Sequence, residues 1–375
     1  MSITQKIKDI ENELSRTQKN KRTEYHIGLL KGKLARYRAQ LVDQIAKSGG
    51  GASGASFEVA KSGDARVALV GFPSVGKSSL LNLLTDSESA IAQYEFTTLT
   101  CVPGFLTLHG ARIQILDLPG IIRGASAGKG RGRQVIATAR SADLIVMVLD
   151  AGGHPKQKEY LTAELETMGI RVNRQKPNIG LRVKTSGGVQ INSTVPLTQL
   201  TPELIKHLIH DYKIFHCELL FHEDAAPEDL IDIIELHFRP SSRQYLRCMY
   251  VYNKIDITSM EELNELAHQE HTAVISCELK LNLDNFVRQL WNELGLVRVY
   301  TKTRGADPDF VEGLVMFQGA TVNDVCLQIH RNLPSIVKHV LVWGRSAKYN
   351  PQQVGLTHQI EDEDVIEVVK RITAD

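Results

Sequence analysis

Gly71-Phe72-Pro73-Ser74-Val75-Gly76-Lys77-Ser78 matches the pattern G-x-x-x-x-G-K-[ST], and both flanks supply the context that the pattern requires. Ahead of it, Ala65-Arg66-Val67-Ala68-Leu69-Val70 is a largely apolar run that predicts a buried parallel strand. Behind it, Ser79-Leu80-Leu81-Asn82-Leu83-Leu84 sets leucines at helical spacing. In a strand–loop–helix unit, glycines let successive backbone N–H groups curl around phosphate oxygens, and the helix start adds unpaired donors. Lys77 then reaches the β- and γ-phosphates, and the Ser78 hydroxyl binds Mg²⁺. The alternative is a chance glycine turn before a helix, and segments further along the chain decide between the two.

At 375 residues, about two to four domains are expected. A composition of 42% hydrophobic and 23% charged residues is that of a globular chain. With 44 basic and 43 acidic side chains there is no bulk signal for nucleic acid, so charge has to be read regionally. Cys101, Cys217, Cys248, Cys277 and Cys326 form no C-x-x-C pair. That argues against a disulfide framework or a zinc knuckle and fits a reducing compartment. No apolar run approaches the length that spans a bilayer, so no membrane partner is expected.

Residues 1–47 read as two helices, one with Ile3, Ile7, Ile10 and Leu14 on its apolar stripe, the other with Ile27, Leu30, Leu34, Leu41 and Ile45. Lys19, Lys21, Arg22, Lys31, Lys33, Arg36, Arg38 and Lys47 crowd the other faces. This hairpin is either a solvated surface or a contact for RNA or another polyanion. A small-residue stretch at 48–55 reads as linker, placing a first domain at 1–62. Over 63–168 strand and helix patterns alternate, which favours a parallel α/β sheet; strands at 112–117 and 142–150 each end in an aspartate. Residues 169–238 break that rhythm and read as an inserted α+β module. Strands at 179–183 and 189–191 around Gly187-Gly188 predict a hairpin, and a helix from Pro202, a strand at 217–221 and a helix from Pro227 follow. His207, His210, His216 and His222 fall here at no metal-binding spacing and read as ordinary surface residues. The parallel pattern resumes over 239–295, with a capping box at Ser259 and Glu262. Residues 296–375, with strands at 297–301, 313–317, 340–343 and 365–369 and a helix at 322–329, form a compact α+β domain.

Asp117-Leu118-Pro119-Gly120 follows a strand; there the Asp117 carboxylate can hold Mg²⁺ through a water and the Gly120 N–H can meet the γ-phosphate. In Phe96-Thr97-Thr98 a threonine, Thr98 ahead of Thr97, can add its hydroxyl and carbonyl to Mg²⁺. Asn253-Lys254-Ile255-Asp256 reads the base. The Asp256 carboxylate accepts from guanine N1–H and the 2-amino group together, a pair of donors that adenine lacks, and the Lys254 stem covers the base plane. Ser276-Cys277-Glu278, after the next strand, supplies backbone contacts to guanine O6. All these segments occur in order and most sit at strand ends, so the chain is read as binding GTP and GDP.

On these residues the chain resembles the translation-factor-related GTPases and, among them, the Obg-like family. The 71–78 loop, Phe96-Thr97-Thr98, and Asp117-Leu118-Pro119-Gly120-Ile121-Ile122 with the glycine-rich tail through Gly132 follow its pattern. The fuller arrangement is similar to the developmentally regulated GTP-binding (DRG) subfamily. That resemblance implies a basic N-terminal helical domain and a P-loop GTPase core with a parallel sheet. It implies an inserted module similar to the second domain of ribosomal protein S5, and a C-terminal TGS domain of β-grasp type. It also implies a cytoplasmic GTPase that hydrolyses GTP to GDP and phosphate, acts on ribosomes or translation, and is stabilised by a DRG-family regulatory protein.

One position departs from the Ras-like pattern. Ile121 stands where a water-orienting glutamine often follows Asp-x-x-Gly, and isoleucine cannot hydrogen-bond the attacking water. Lys77, Thr98 and Gly120 are then the candidate catalytic groups, slow alone and accelerated by a partner or K⁺. In K⁺-activated relatives an asparagine of the phosphate loop commonly ligates the ion; the position here is Ser74. Arg123, Lys129, Arg131 and Arg133 either supply charge in cis or are solvated or meet a partner. The missing glutamine sustains a second reading, a ribosome- or RNA-binding adaptor whose nucleotide is mainly structural.

Overall fold

The structure, a computed structural model, describes residues 3–18, 23–47, 63–85, 102–118, 138–239 and 243–370. In chain order, α1 (Ile3–Arg16) and α2 (Glu24–Lys47) precede β1 (Ala65–Val70), α3 (Lys77–Leu84), β2 (Val102–Leu108), β3 (Ala111–Asp117), β4 (Leu144–Asp150), α4 (Gln157–Thr167) and β5 (Ile170–Val172). Next come β6 (Ile179–Val183), β7 (Val189–Ser193), α5 (Pro202–Asp211), β8 (Cys217–Phe221), α6 (Pro227–Phe238), β9 (Gln244–Asn253), α7 (Met260–Ala267), β10 (Thr272–Val274) and α8 (Leu283–Leu294). The chain closes with β11 (Leu296–Thr301), β12 (Asp309–Phe317), α9 (Val322–Ile329), α10 (Leu333–Ile336), β13 (Val337–Trp343), β14 (Gln352–Val354) and β15 (Asp364–Lys370). Contacts divide it into two units.

One unit comprises Val59–Gly120, Ser141–Lys158 and Arg247–Asp375. Its larger sheet runs β10-β9-β4-β1-β3-β2, parallel except for β2, which pairs antiparallel with β3. β1 lies between β3 and β4, and in open sheets of this kind ligands bind outside the carboxyl ends of the strands where the strand order reverses. Every residue of β1 is buried, as the apolar run requires. Ala65, Val67 and Leu69 join one cluster with Leu80 and Leu81 of α3 and Phe286, Leu290 and Trp291 of α8. Arg66 is tolerated in this strand because its side chain is hydrogen-bonded: Nε donates to Gln114 Oε1 (2.9 Å) and Nη1 to Ser141 Oγ (2.6 Å). The smaller sheet runs β12-β11-β15-β13-β14 and buries Val322, Val325 and Cys326 of α9 against Val299, Val340 and Val342. Leu296 and Val315 of this sheet belong to the cluster of Phe286 and Trp291, so α8 serves both sheets.

The other unit comprises Met1–Glu58, Ile121–Arg140 and Glu159–Leu246. In it, α1 and α2 pack through Ile10, Leu30 and Leu34. A second face of α2 carries Leu29 and Ala35 into the core of α5, α6 and β8. Gly28 and Gly32 permit this approach, since a Cβ would lie 3.0 Å from Leu204 Cδ2 at the first and 2.6 Å from Leu208 Cδ2 at the second. Three basic residues of α2 have partners within the protein. Lys31 pairs with Glu228, Arg36 donates to the Asp211 carbonyl (2.7 Å), and Arg38 donates to Glu11 (2.8 Å); Lys33 is the exposed member of the four. The charge expected to await a polyanion is, at three of these positions, directed at the protein itself. Gly32→Val is expected to force α2 away from α5 and to lower unfolding free energy by about 1–3 kcal/mol, as overpacking does. Lys33→Ala should change it by less than about 0.5 kcal/mol. Urea unfolding of both variants checks the contrast.

The Gly187-Gly188 hairpin is overturned. β6 and β7 do not pair with each other; the order is β6-β8-β7, with β8 antiparallel to β6 and parallel to β7. The central place goes to the strand with most apolar side chains to bury, Cys217, Leu219 and Phe221 of β8, while β6 and β7 keep exposed residues at the edges. The two glycines, at φ 103° and 71°, carry the chain past the end of β8, where the Cys217 N–H donates to the Gly188 carbonyl. The module is rooted by Asp232 of α6, which accepts from Arg171 (2.7 and 2.9 Å) and Arg243 (2.8 Å) beside the paired strands β5 and β9. Among the described residues, no helix is long and apolar enough to cross a membrane.

Candidate nucleotide site

The loop between β1 and α3 is shaped as the sequence expects, and its glycines have a second reason to be there. A Cβ on Gly71 would lie 2.4 Å from the Val148 carbonyl oxygen of β4. Gly76 adopts φ +95°, and a Cβ there would lie 2.2 Å from Asn253 Nδ2. Both positions are fixed by neighbouring strands as well as by any need for phosphate to approach. Ser74 takes φ +64°, unusual for a residue with a side chain, in the loop's tightest bend. Lys77 is buried, and its Nζ donates to the carbonyls of Gly71 (3.1 Å) and Phe72 (2.8 Å), inside the curve of the loop. Burial pulls its pKa below the ordinary lysine value, and the nearby Asp117 charge opposes that shift.

Asp117 ends β3 directly beside α3, and Ser78 Oγ donates to its Oδ2 at 2.5 Å. The other carboxylate oxygen, Oδ1, is buried without a partner among the described residues. A hydroxyl and an unsatisfied carboxylate oxygen are hard ligands, few enough to suit Mg²⁺, which keeps waters and phosphate oxygens in its octahedron. The residues present therefore fit that ion. Thr97, Thr98, Pro119, Gly120 and Ile121, with the arginines that follow, lie outside the described residues.

At the base end, β9 and β10 deliver Asn253, Lys254, Asp256, Ser276 and Cys277 to neighbouring loops. Asn253 is 3% exposed and does not face outward. Its Nδ2 donates to the Val75 carbonyl (2.9 Å) and its Oδ1 accepts from the Cys277 N–H (3.0 Å), so it fastens the phosphate loop to the base loop. Asp256 Oδ1 accepts from the fully buried Ser276 hydroxyl (2.7 Å), which orients the carboxylate. The Ser276 N–H donates to the Leu281 carbonyl, leaving neither backbone donor of this pair free; a contact to guanine O6 requires Cys277 to share its hydrogen with Asn253. Burial raises the Cys277 thiol to about 11, so it is no nucleophile at neutral pH. Lys254 adopts φ +65° and its Nζ pairs with Asp150 Oδ2 at 2.6 Å. Asp150 escaped the motif reading because its partner is distant in sequence; its one signal is an acid closing an apolar strand, the pattern that marked Asp117.

A glycine loop at the end of β1, a carboxylate–hydroxyl pair on one side and an aspartate beside an asparagine clamp on the other define a P-loop GTPase. Residues 66–182 match the family profile described as a 50S ribosome-binding GTPase, 186–296 the C-terminal region of that domain, and 297–370 the TGS domain. The chain is 56% identical over 371 residues to the developmentally-regulated GTP-binding protein 2 homolog of Dictyostelium discoideum, covering 99% of this chain and 100% of that protein. Against developmentally-regulated GTP-binding protein 2 of Homo sapiens it is 55% identical, with 99% and 100% covered. Developmentally-regulated G-protein 2 of Arabidopsis thaliana is 51% identical, with 99% and 92% covered. This chain belongs to the developmentally regulated GTP-binding protein family. A solved FeoB G domain from Methanococcus jannaschii aligns over 61% of this chain and 97% of its own at 14% identity, with a TM-score of 0.31 that is too low to bear on fold or function.

Proposed function

We propose that the chain hydrolyses GTP to GDP and phosphate and uses the two forms to switch its association with ribosomes or the translation machinery. The observation that carries this reading is the Asn253 clamp, by which one side chain holds the phosphate loop and the base loop together. In this reading Lys77 positions the phosphates, and Ser78, Asp117 and Thr98 hold Mg²⁺, which supplies positive charge against the phosphate oxygens when bound. The Gly120 N–H meets the γ-phosphate, and loss of that group releases the segments around Thr98 and Gly120. Asp256 reads the guanine edge, the Lys254 stem covers its plane, Cys277 meets O6 through the N–H it shares with Asn253, and Ser276 orients Asp256. The module at 169–238 is an insertion in a GTPase domain of 63–168 and 239–295, between an N-terminal helical domain at 1–62 and a TGS domain at 296–375. The description of the matched family as ribosome-binding supports ribosomes and RNA as partners. A DRG-family regulatory protein as partner and a cytoplasmic location, both implied by the sequence resemblance, complete this proposal.

A second reading, an adaptor whose nucleotide is structural, is favoured by Ile121 alone. Turnover separates the two. The lone protein should hydrolyse GTP on the order of 10⁻⁴ to 10⁻³ per second, the range of GTPases without a stabilising arginine. Ribosomes, a partner or K⁺ should accelerate it, and Lys77→Ala should abolish it. Single-turnover assays in Na⁺ and in K⁺, with and without ribosomes, measure this. No acceleration under any of these conditions would leave the adaptor reading standing.

A further inference from the structure

Asp150, the half-buried residue that ends the buried strand β4, is held at several points. In the parallel pairing of β4 with β9 it stands opposite Asn253, so the next residue along β9, Lys254, leaves the strand beside it. Lys254 turns into the left-handed region (φ 65°, ψ 41°), a conformation that costs free energy for a side-chain-bearing residue and persists where surroundings impose it. The turn directs its ammonium onto Asp150 Oδ2 at 2.6 Å. The other oxygen, Oδ1, accepts from the Gly152 N–H (3.1 Å). The Asp150 backbone N–H donates to Gln157 Oε1 (3.3 Å), and its carbonyl accepts from the Gly153 N–H (3.1 Å). Even the space around this turn is committed, for a Cβ on Gly153 would lie 1.9 Å from Gln157 Nε2. Both carboxylate oxygens therefore have protein partners, and the carboxylate is fixed from its backbone and from the turn that follows it.

We propose that Asp150 is a positioning residue for guanine-nucleotide binding: it tethers the Lys254 ammonium, and so fixes the direction of the four-carbon stem that covers the base. The inference rests on the assignment of Lys254 to the base end of a guanine-nucleotide site. A lysine stem free to sample its rotamers gives up side-chain entropy when it is ordered. A tether that orders it beforehand removes part of that cost from binding. The pair is only partly shielded, with Lys254 38% and Asp150 22% exposed, so its effect is screened by salt. Asp150 reaches the nucleotide only through Lys254, so it acts alike on GTP and GDP and leaves guanine-over-xanthine preference to Asp256.

The test is nucleotide affinity of the full chain, measured with GDP and GTP at low and high salt, for Asp150→Asn, Lys254→Met and the double variant. Asp150→Asn should weaken both nucleotides by roughly tenfold at low salt and by less at high salt. The guanine-over-xanthine ratio should not change. The double variant should bind no worse than Lys254→Met, because the tether has nothing left to hold. A salt-independent loss, a loss confined to GTP, or additive losses in the double variant would each overturn the proposal, as would wild-type affinity in Asp150→Asn. Should that variant not fold, Asp150→Glu keeps the charge but displaces it by one methylene, and wild-type affinity there overturns the tether equally. If the wild-type chain binds no guanine nucleotide, the base-site assignment itself has failed.

Discussion

Asp256→Asn is expected to weaken GTP binding by roughly 10⁴-fold, the discrimination available to a site built on paired hydrogen bonds, and to turn preference towards xanthosine triphosphate. An asparagine presents an N–H where guanine also presents donors, whereas xanthine has a carbonyl at that position. The structure adds a reason to expect a folded variant. Asp256 Oδ1 accepts from Ser276 Oγ (2.7 Å), and an asparagine Oδ1 can keep that bond and leave its amide nitrogen for the ligand. Thermal unfolding of the nucleotide-free variant should therefore stay near wild type while competition binding shows the switch in base. Wild-type affinity for GTP in this variant would show that Asp256 does not read the base.

Asn253→Ala should damage the site from within. The substitution removes partners from the Val75 carbonyl and the Cys277 N–H together, on loops 178 and 24 residues from Asn253 in sequence. Each buried group left unpaired costs about 1–3 kcal/mol, so unfolding free energy should fall by about 2–4 kcal/mol once the lost bonds partly relax. Affinity for GDP as well as GTP should fall, because both loops lose their common fastening before any phosphate is read. Urea unfolding with nucleotide titration measures both effects. A stable variant with normal GDP affinity would mean that the two loops hold their shape independently.

The phosphate loop was legible because its determinants are contiguous: an apolar strand, glycines at set spacing and leucines at helical spacing form one strand–loop–helix unit. The same holds for the capping box at Ser259 and for the Thr201 cap ahead of Pro202, whose partners lie three residues away. The hairpin at Gly187-Gly188 misled because local turn chemistry cannot register a more apolar strand, β8, that arrives later and takes the place between β6 and β7. The partners of the α2 charges were not legible for a similar reason. Periodicity marks an apolar stripe, and it does not say that Leu29 and Ala35 meet a second core that brings Glu228 and Asp211 within reach of Lys31 and Arg36.

By itself, the sequence determined the class of fold and the strand–loop–helix unit at 65–84, since each is written in residues a few positions apart. Only the tertiary structure decided what those residues do to one another. Asn253 emerged as a joint between two loops, and Asp150 came to hold Lys254 across 104 residues of chain, because parallel pairing of β4 with β9 sets Asp150 opposite Asn253 and beside the turn at Lys254. Neighbours made by strand order and register have no fixed spacing along the chain, and spacing is all that a single sequence displays.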